Sequence, residues 1–80
     1  MNMSETIKTF LEKETGRVIE DTAKNLIETG ILDSFSMFRL ISFLETTFGI
    51  QIPMEELSPE NFNSVATIGE FVQIQMRKNI

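Results

Sequence analysis

The sequence contains neither cysteine nor histidine in its 80 residues. Without cysteine it has no disulfide framework, no thiolate nucleophile and no Cys-ligated zinc. Without histidine it lacks the usual general base and imidazole metal ligand. These absences exclude most hydrolytic chemistry and disfavour an enzyme with an active site of its own. The acidic residues at positions 55, 56 and 60 lack EF-hand spacing, so we predict a solvated turn there and no metal site.

Positive charge is also scarce, with 7 Lys and Arg against 12 Asp and Glu and a net charge of -5. A negative chain repels a phosphate backbone, so we expect no nucleic-acid partner. No apolar run approaches the roughly 20 residues of a membrane span. Glu5 precedes any apolar stretch that could be a signal peptide. We therefore expect a monomeric, cytoplasmic protein that does not insert into membranes.

What is present predicts one small folded domain over residues 1–80. The chain has ordinary globular usage, with 41% apolar and 24% charged residues, and it is too short for two cores. A first helix is predicted over residues 4–14, with Ser4 as its cap and Gly16 as its stop. Its apolar residues at helical spacing are Ile7, Phe10 and Leu11. Residues 17–33 have no sustained period and predict a long connection packed against the core.

Residues 34–48 predict a second helix, with Asp33 as its N-cap and Gly49 at its end. The predicted core face has five apolar residues at helical spacing: Met37, Leu40, Ile41, Leu44 and Phe48. The opposite side carries polar groups and two aromatic rings: Ser34, Phe35, Phe38, Ser42 and Glu45. Either both rings are exposed as part of a partner surface, or the preceding connection covers one of them.

The last third of the chain predicts one short helix and one longer helix. Pro53 prevents the second helix from continuing, and the short helix is predicted either at residues 54–57 or from Ser58 onward. Thr67 and Glu70 have the spacing of a capping box and predict the start of the last helix. Its inner face contains Ile68, Phe71, Val72 and Gln75. The fold class is therefore all-α, a small four-helix bundle of three main helices and one short helix with a long first loop.

Ser34 is the candidate for carrying a phosphodiester. It follows the predicted cap Asp33 in the first turn of the second helix, where unpaired backbone N–H groups and the helix dipole favour a phosphate. Taken alone, an Asp-Ser pair at this position is more typical of ordinary helix capping. Further residues are needed to distinguish the two interpretations.

Two longer runs distinguish the two interpretations of Ser34. They are LIETGILDSF at residues 26–35 and FGIQIP at residues 48–53, and Leu40 and Leu44 lie between the runs. In this order and spacing the chain resembles the acyl carrier and peptidyl carrier protein family. The resemblance covers residues 5–75. It implies a four-helix bundle with a long first loop, and it matches Ser34 to the serine that receives 4′-phosphopantetheine from coenzyme A.

The resemblance also implies a function. The terminal thiol of the attached arm holds an acyl or aminoacyl group as a thioester, which supplies the reactive group that the chain lacks. The protein is then a carrier without catalytic activity. Its implied partners are a phosphopantetheinyl transferase, an acyl- or aminoacyl-loading ligase and downstream synthase enzymes. Asp33 is expected to cap the helix and present Ser34 to the transferase.

The second helix departs from the family pattern. Phe35 follows the serine where Leu is usual, and Arg39 stands where an acidic residue is common. These departures favour a specialised carrier, of the free-standing aminoacyl or D-alanyl type, over a housekeeping fatty-acid carrier. The predicted partner surface consists of Phe35, Phe38, Arg39, Ser42, Glu45 and Met54. The alternative function is a helical adaptor with the same fold, which binds through its exposed rings and has no prosthetic group.

Phe43 flanks the predicted core face where carriers that enclose a fatty chain often have a small residue. We hypothesise that its ring adds bulk to the space that such a chain would need, so that the cargo stays outside the bundle. The alternative is that Phe43 packs against the long loop without touching any cavity.

Overall fold

The computed structural model describes residues 2–78, in which the regular structure is entirely helical. The elements are α1 (Met3–Thr15), α2 (Ser34–Phe48), a 3₁₀ turn (Met54–Glu56), α3 (Pro59–Phe62) and α4 (Val65–Lys78). Helix α1 packs against α2 and α4, and α4 also contacts α2 and α3. The predicted bundle of three main helices and one short helix is confirmed. Both positions offered for the short helix form helical turns, the first as the 3₁₀ turn and the second as α3.

Helix α2 has the predicted bounds, whereas α1 and α4 start earlier than predicted. The Asn2 side chain caps α1 by accepting a hydrogen bond from Ser4 N at 2.9 Å, so Ser4 lies inside the helix rather than at its cap. In α4, the Ser64 hydroxyl accepts from Thr67 N at 3.1 Å, which places Thr67 in the first turn. The capping box predicted at Thr67 is therefore wrong. The earlier start carries Val65, which is fully buried, into the helix.

The core takes apolar side chains from the long helices, α3 and the long connection. Its fully buried members are Ile7, Leu11, Ile19, Leu26, Leu40, Leu44, Phe62, Val65, Ile68 and Val72. On α2, Leu40 and Leu44 form the buried centre of the predicted face, and three half-buried residues flank them: Met37, Ile41 and Phe48. The predicted inner face of α4 is confirmed, since all four of its residues are buried.

The long connection, residues 16–33, is fixed to the rest of the fold by backbone hydrogen bonds. Leu26 N donates to Asn63 O at 2.7 Å, and Ala66 N donates to Thr22 O at 2.9 Å. Burial of four apolar side chains, Ile19, Leu26, Ile31 and Leu32, adds to this attachment. The connection therefore delivers Asp33 to the start of α2 in a defined position.

Candidate functional site

The N-terminus of α2 is closed by a reciprocal pair of hydrogen bonds between Asp33 and Ser36. The Asp33 carboxylate accepts from Ser36 N at 2.9 Å, and the Ser36 hydroxyl oxygen accepts from Asp33 N at 2.9 Å. This capping box satisfies two backbone N–H groups that the helix itself leaves unpaired. The predicted cap Asp33 is confirmed. Ser36 was missed as its counterpart, although a hydroxyl three residues after an Asp cap was the available signal.

The negative charge of Asp33 is stabilised by its hydrogen bonds to Ser36. The backbone N–H and then the hydroxyl of Ser36 lower the pKa of the Asp33 carboxyl, because both stabilise its ionised form. The Ser36 hydroxyl lies 3.0 Å from the carboxylate oxygen, and the Ser36 residue is only 5% exposed. The ionised carboxylate thus holds the first turn of α2 in place.

Ser34 lies at the first position of α2 and is exposed. It shares this turn with Ser36, but the two serines occupy opposite environments, one in solvent and the other buried in the capping box. Around Ser34, the first-turn backbone N–H groups and the positive end of the helix dipole favour a negatively charged substituent. The site offers an accessible hydroxyl on a rigid turn.

The two aromatic rings beyond Ser34 are both solvent-exposed, Phe35 at 69% and Phe38 at 79%. The alternative that the long connection covers one of them is therefore wrong. Ser42 is also exposed on α2, and Met54, in the 3₁₀ turn, is 83% exposed. Their exposure is compatible with the predicted partner surface, whose role stays a prediction.

The two charged residues of that predicted surface are both bonded within the fold. Arg39 Nε lies 2.6 Å from a carboxylate oxygen of Glu14 on α1, and its guanidinium lies 5.8 Å from the centre of the Phe35 ring. The half-buried Glu45 accepts a hydrogen bond from Ile52 N at 2.9 Å. Arg39 therefore joins α2 to α1, and Glu45 fixes the segment that leaves α2.

Phe43 is half-buried and stacks on Phe10 of α1, with ring centres 4.1 Å apart and planes 15° from parallel. Neither sequence-based expectation named this partner. Both rings line two open surface depressions of about 510 and 460 Å³ between α1 and α2. Phe43 therefore packs against α1, and the alternative that it packs against the long loop is wrong. Its proposed effect on cargo stays a prediction.

Within residues 2–78, acidic side chains nowhere form a group of three or more that could hold a metal ion. In the same residues, each helix is too short or too polar to cross a membrane.

Comparison with known proteins places these features in a family. The family model for the phosphopantetheine attachment site matches residues 5–73. The D-alanyl carrier protein of Streptococcus pyogenes serotype M5 (strain Manfredo) is 32% identical over 78 residues, covering 91% of this chain and 94% of the relative, and that of serotype M1 gives the same values.

Among solved structures, a chain from the crystal structure of an FAD-dependent dehydrogenase matches with a TM-score of 0.74 and 32% identity. The match covers 82% of this chain and 97% of that one, so the matched chain is itself about as short as this protein. Three findings agree: the family model matches most of the sequence, the carrier relatives match over nearly their whole length, and the capped helix exposes its serine. The chain belongs to the phosphopantetheine-binding family of acyl and peptidyl carrier proteins, whose cofactor is covalently attached 4′-phosphopantetheine.

Proposed function

We propose that Ser34 carries the 4′-phosphopantetheine group and that the protein holds an acyl or aminoacyl group on it as a thioester for partner enzymes. The observation that supports this most strongly is the exposed Ser34 hydroxyl on the rigidly capped first turn of α2, inside the matched region. The residues fit the group, because the hydroxyl is open to a transferase and the helix N-terminus favours the charge of a phosphodiester. The attached arm supplies a thiol, which the chain lacks.

Attachment requires little of the chain beyond a positioned nucleophile. The Ser34 oxygen forms a bond to the phosphorus that bears the pantetheine unit of coenzyme A. The bond from that phosphorus to the bridging oxygen breaks, 3′,5′-ADP leaves, and the serine proton passes to a base of the transferase. Asp33 contributes by holding the turn through its bonds to Ser36.

Two other serines of α2 are poorer candidates. The Ser36 hydroxyl is buried and committed to the capping box. Ser42 is exposed but lies two turns into the helix, where the backbone N–H groups are paired and the dipole gives no local support. Ser34 combines exposure with the helix N-terminus.

We further propose a specialised carrier with a small aminoacyl or acyl cargo that stays outside the bundle. The similarity to D-alanyl carrier proteins supports this cargo class. The single acidic side chain within α2, that of Glu45, is bonded to Ile52 N, so α2 presents no acidic stripe to a basic partner. The partners are a phosphopantetheinyl transferase, a loading ligase and downstream enzymes, and the match in the dehydrogenase crystal supports a redox enzyme among them.

Intact mass spectrometry tests the attachment. After incubation with coenzyme A, Mg²⁺ and a broad-specificity transferase, the wild type is expected to gain one phosphopantetheine group, with the modified peptide containing Ser34. Ser34→Ala should gain none, and Ser42→Ala, the matched exposed control on the same helix, should gain one. An unmodified wild type, alongside a carrier that is modified in the same mixture, would support the adaptor function instead.

The cargo proposal has its own test. The Ser34 arm is loaded with D-alanine or with a medium-length acyl chain, and amide chemical shifts are compared with the unloaded form. Neither cargo should disturb Leu40, Leu44 and Ile68, which are fully buried at the centre of the bundle. Large shifts at these three residues with the acyl chain would show that the protein encloses its cargo.

A further inference from the structure

Ser34 lies on the rim of an apolar surface depression of about 290 Å³. The depression is lined by Ile27, Leu32, Asp33, Ser34 and Met37. Ile27 and Met37 are half-buried at the edge of the core, and Leu32 is only 3% exposed. A serine that is modified at its oxygen would therefore have an apolar surface directly beside it.

The walls of this depression are held by backbone hydrogen bonds. Ile27 N donates to the Asn25 side chain at 3.0 Å, and Leu32 N donates to Leu26 O at 2.9 Å. Met37 N donates to Asp33 O at 2.8 Å and so belongs to the same capped turn as Ser34. The depression is thus a preformed part of the fold, and an occupant would not have to order its walls.

A second surface crevice beside the capped turn has a different lining. A crevice of about 270 Å³ runs between the end of α1 and the start of α2, and its charged lining includes Glu14, Arg17 and Asp33. The charged side chains of Glu14 and Arg17 make this crevice a poorer surface for an apolar group than the depression, which they do not line. The crevice and the depression therefore differ in what they can accept.

We propose that the depression formed by Ile27, Leu32 and Met37 binds the proximal end of the phosphopantetheine arm. This inference rests on the proposed attachment at Ser34. Next to the phosphate, the arm has a quaternary carbon with two methyl groups, which is its most apolar part. With the phosphate at the N-terminus of α2, these methyl groups contact Ile27 and Met37. The depression is lined only by residues next to Ser34 in the fold, so it holds the end of the arm beside the phosphate and leaves the thiol end outside it.

Methyl NMR tests the proposal on the full chain in its unmodified and modified forms. Intact mass first establishes modification, so a failure at that step contradicts attachment rather than arm binding. In the modified protein we expect nuclear Overhauser contacts from the arm's two methyl groups to the Ile27 and Met37 side chains. We also expect shift changes at those two side chains relative to the unmodified form.

Met37→Ala and Ile27→Thr should each weaken these contacts and return the arm's methyl shifts toward those of free phosphopantetheine. Phe38→Ala is the matched control, because it removes a large side chain from α2 that does not line the depression, and it should leave the contacts intact. If a variant fails to fold, the wild-type contacts decide the question. Arm methyl shifts equal to those of free phosphopantetheine, or contacts to Ile31 on the crevice side instead, would overturn the proposal.

Discussion

Two serines of the same helical turn, Ser34 and Ser36, should give opposite results when each is replaced by alanine. Ser34→Ala removes an exposed hydroxyl and is expected to abolish phosphopantetheine attachment without a change in stability beyond about 0.5 kcal/mol. Ser36→Ala removes the hydroxyl that accepts from Asp33 N and contacts the carboxylate. It should therefore lower stability but leave attachment intact, because the backbone bond from Ser36 N to the Asp33 carboxylate still caps the turn that carries Ser34.

The magnitude for Ser36→Ala follows from its contacts. Loss of a hydrogen bond and of half of a capping box costs about 1–2 kcal/mol, because Ser36 is 5% exposed and water compensates only in part. Alanine recovers about 0.5 kcal/mol through its higher helix propensity. The net loss is about 1 kcal/mol, which for a domain of this size corresponds to a fall in Tm of about 4–8 °C.

Thermal melts followed by circular dichroism give the Tm, and intact mass after the transferase reaction gives the extent of modification. Ser42→Ala serves as the control on the same helix, with a Tm no lower than that of the wild type and full modification. Equal Tm values for Ser34→Ala and Ser36→Ala would refute the structural role of Ser36. Modification that is lost in Ser36→Ala but kept in Ser34→Ala would refute the proposed attachment site.

Three further predictions concern the surroundings of this turn. The lowered pKa of Asp33 adds stability at pH values above the unfolded pKa of about 4, and this contribution is lost as the pH falls through the lower folded value. Urea denaturation at several pH values should show this loss in the wild type and not in Asp33→Asn, whose amide oxygen still caps the helix. Phe43→Ala should lower the free energy of unfolding, measured by chemical denaturation, by about 2 kcal/mol. A double-mutant cycle with Phe10→Ala should give a coupling energy of about 1 kcal/mol between the two rings. If the two losses simply add, the rings do not stabilise each other and the stack is contradicted. Arg39→Glu should raise kcat/KM with enzymes that serve acidic fatty-acid carriers and lower it with the protein's own partner. Glu14→Gln is the control, because it breaks the ion pair but keeps the charge of Arg39. Unchanged kcat/KM values for both sets of enzymes would remove charge as the cause.

The sequence predicted a helix end correctly where only one suitable capping residue lies nearby. Asp33 and Gly49 bound α2 as predicted, and the left-handed conformation of Gly49, with φ at 64°, is one that a glycine adopts readily. At the starts of α1 and α4, two suitable capping residues lie within one turn of each other. Burial of Val65 against the other helices favours the earlier cap in α4, and a single sequence does not show that packing.

The candidate site was predictable to the extent that it depends on one helix. The phase of α2 placed Phe35 and Phe38 on the side away from the core, and their exposure is one of the two alternatives that the sequence left open. The ion pair of Arg39 with Glu14 depends on how α1 crosses α2, and the bond from Glu45 to the outgoing chain depends on a turn seven residues away. Helical periodicity alone therefore assigned both charged residues to an open surface.

Because Arg39 is paired with Glu14, the exposed aromatic rings of α2 are better placed than its charge to select a partner. Arg39 is about half-exposed, but the Glu14 carboxylate offsets its charge and its guanidinium lies near the Phe35 ring. In the wild type this paired charge contributes little to long-range attraction, and salt weakens what is left, whereas Arg39→Glu would place a second carboxylate beside the now unpaired Glu14. The most exposed groups next to Ser34 are then the rings of Phe35 and Phe38. A partner that fits this surface needs an apolar recess for the rings, since burial of aromatic surface dominates binding where the neighbouring charged side chains are already paired. The absence of an acidic stripe and the presence of two exposed rings thus favour the same kind of partner, one that recognises the carrier by shape and apolar contact.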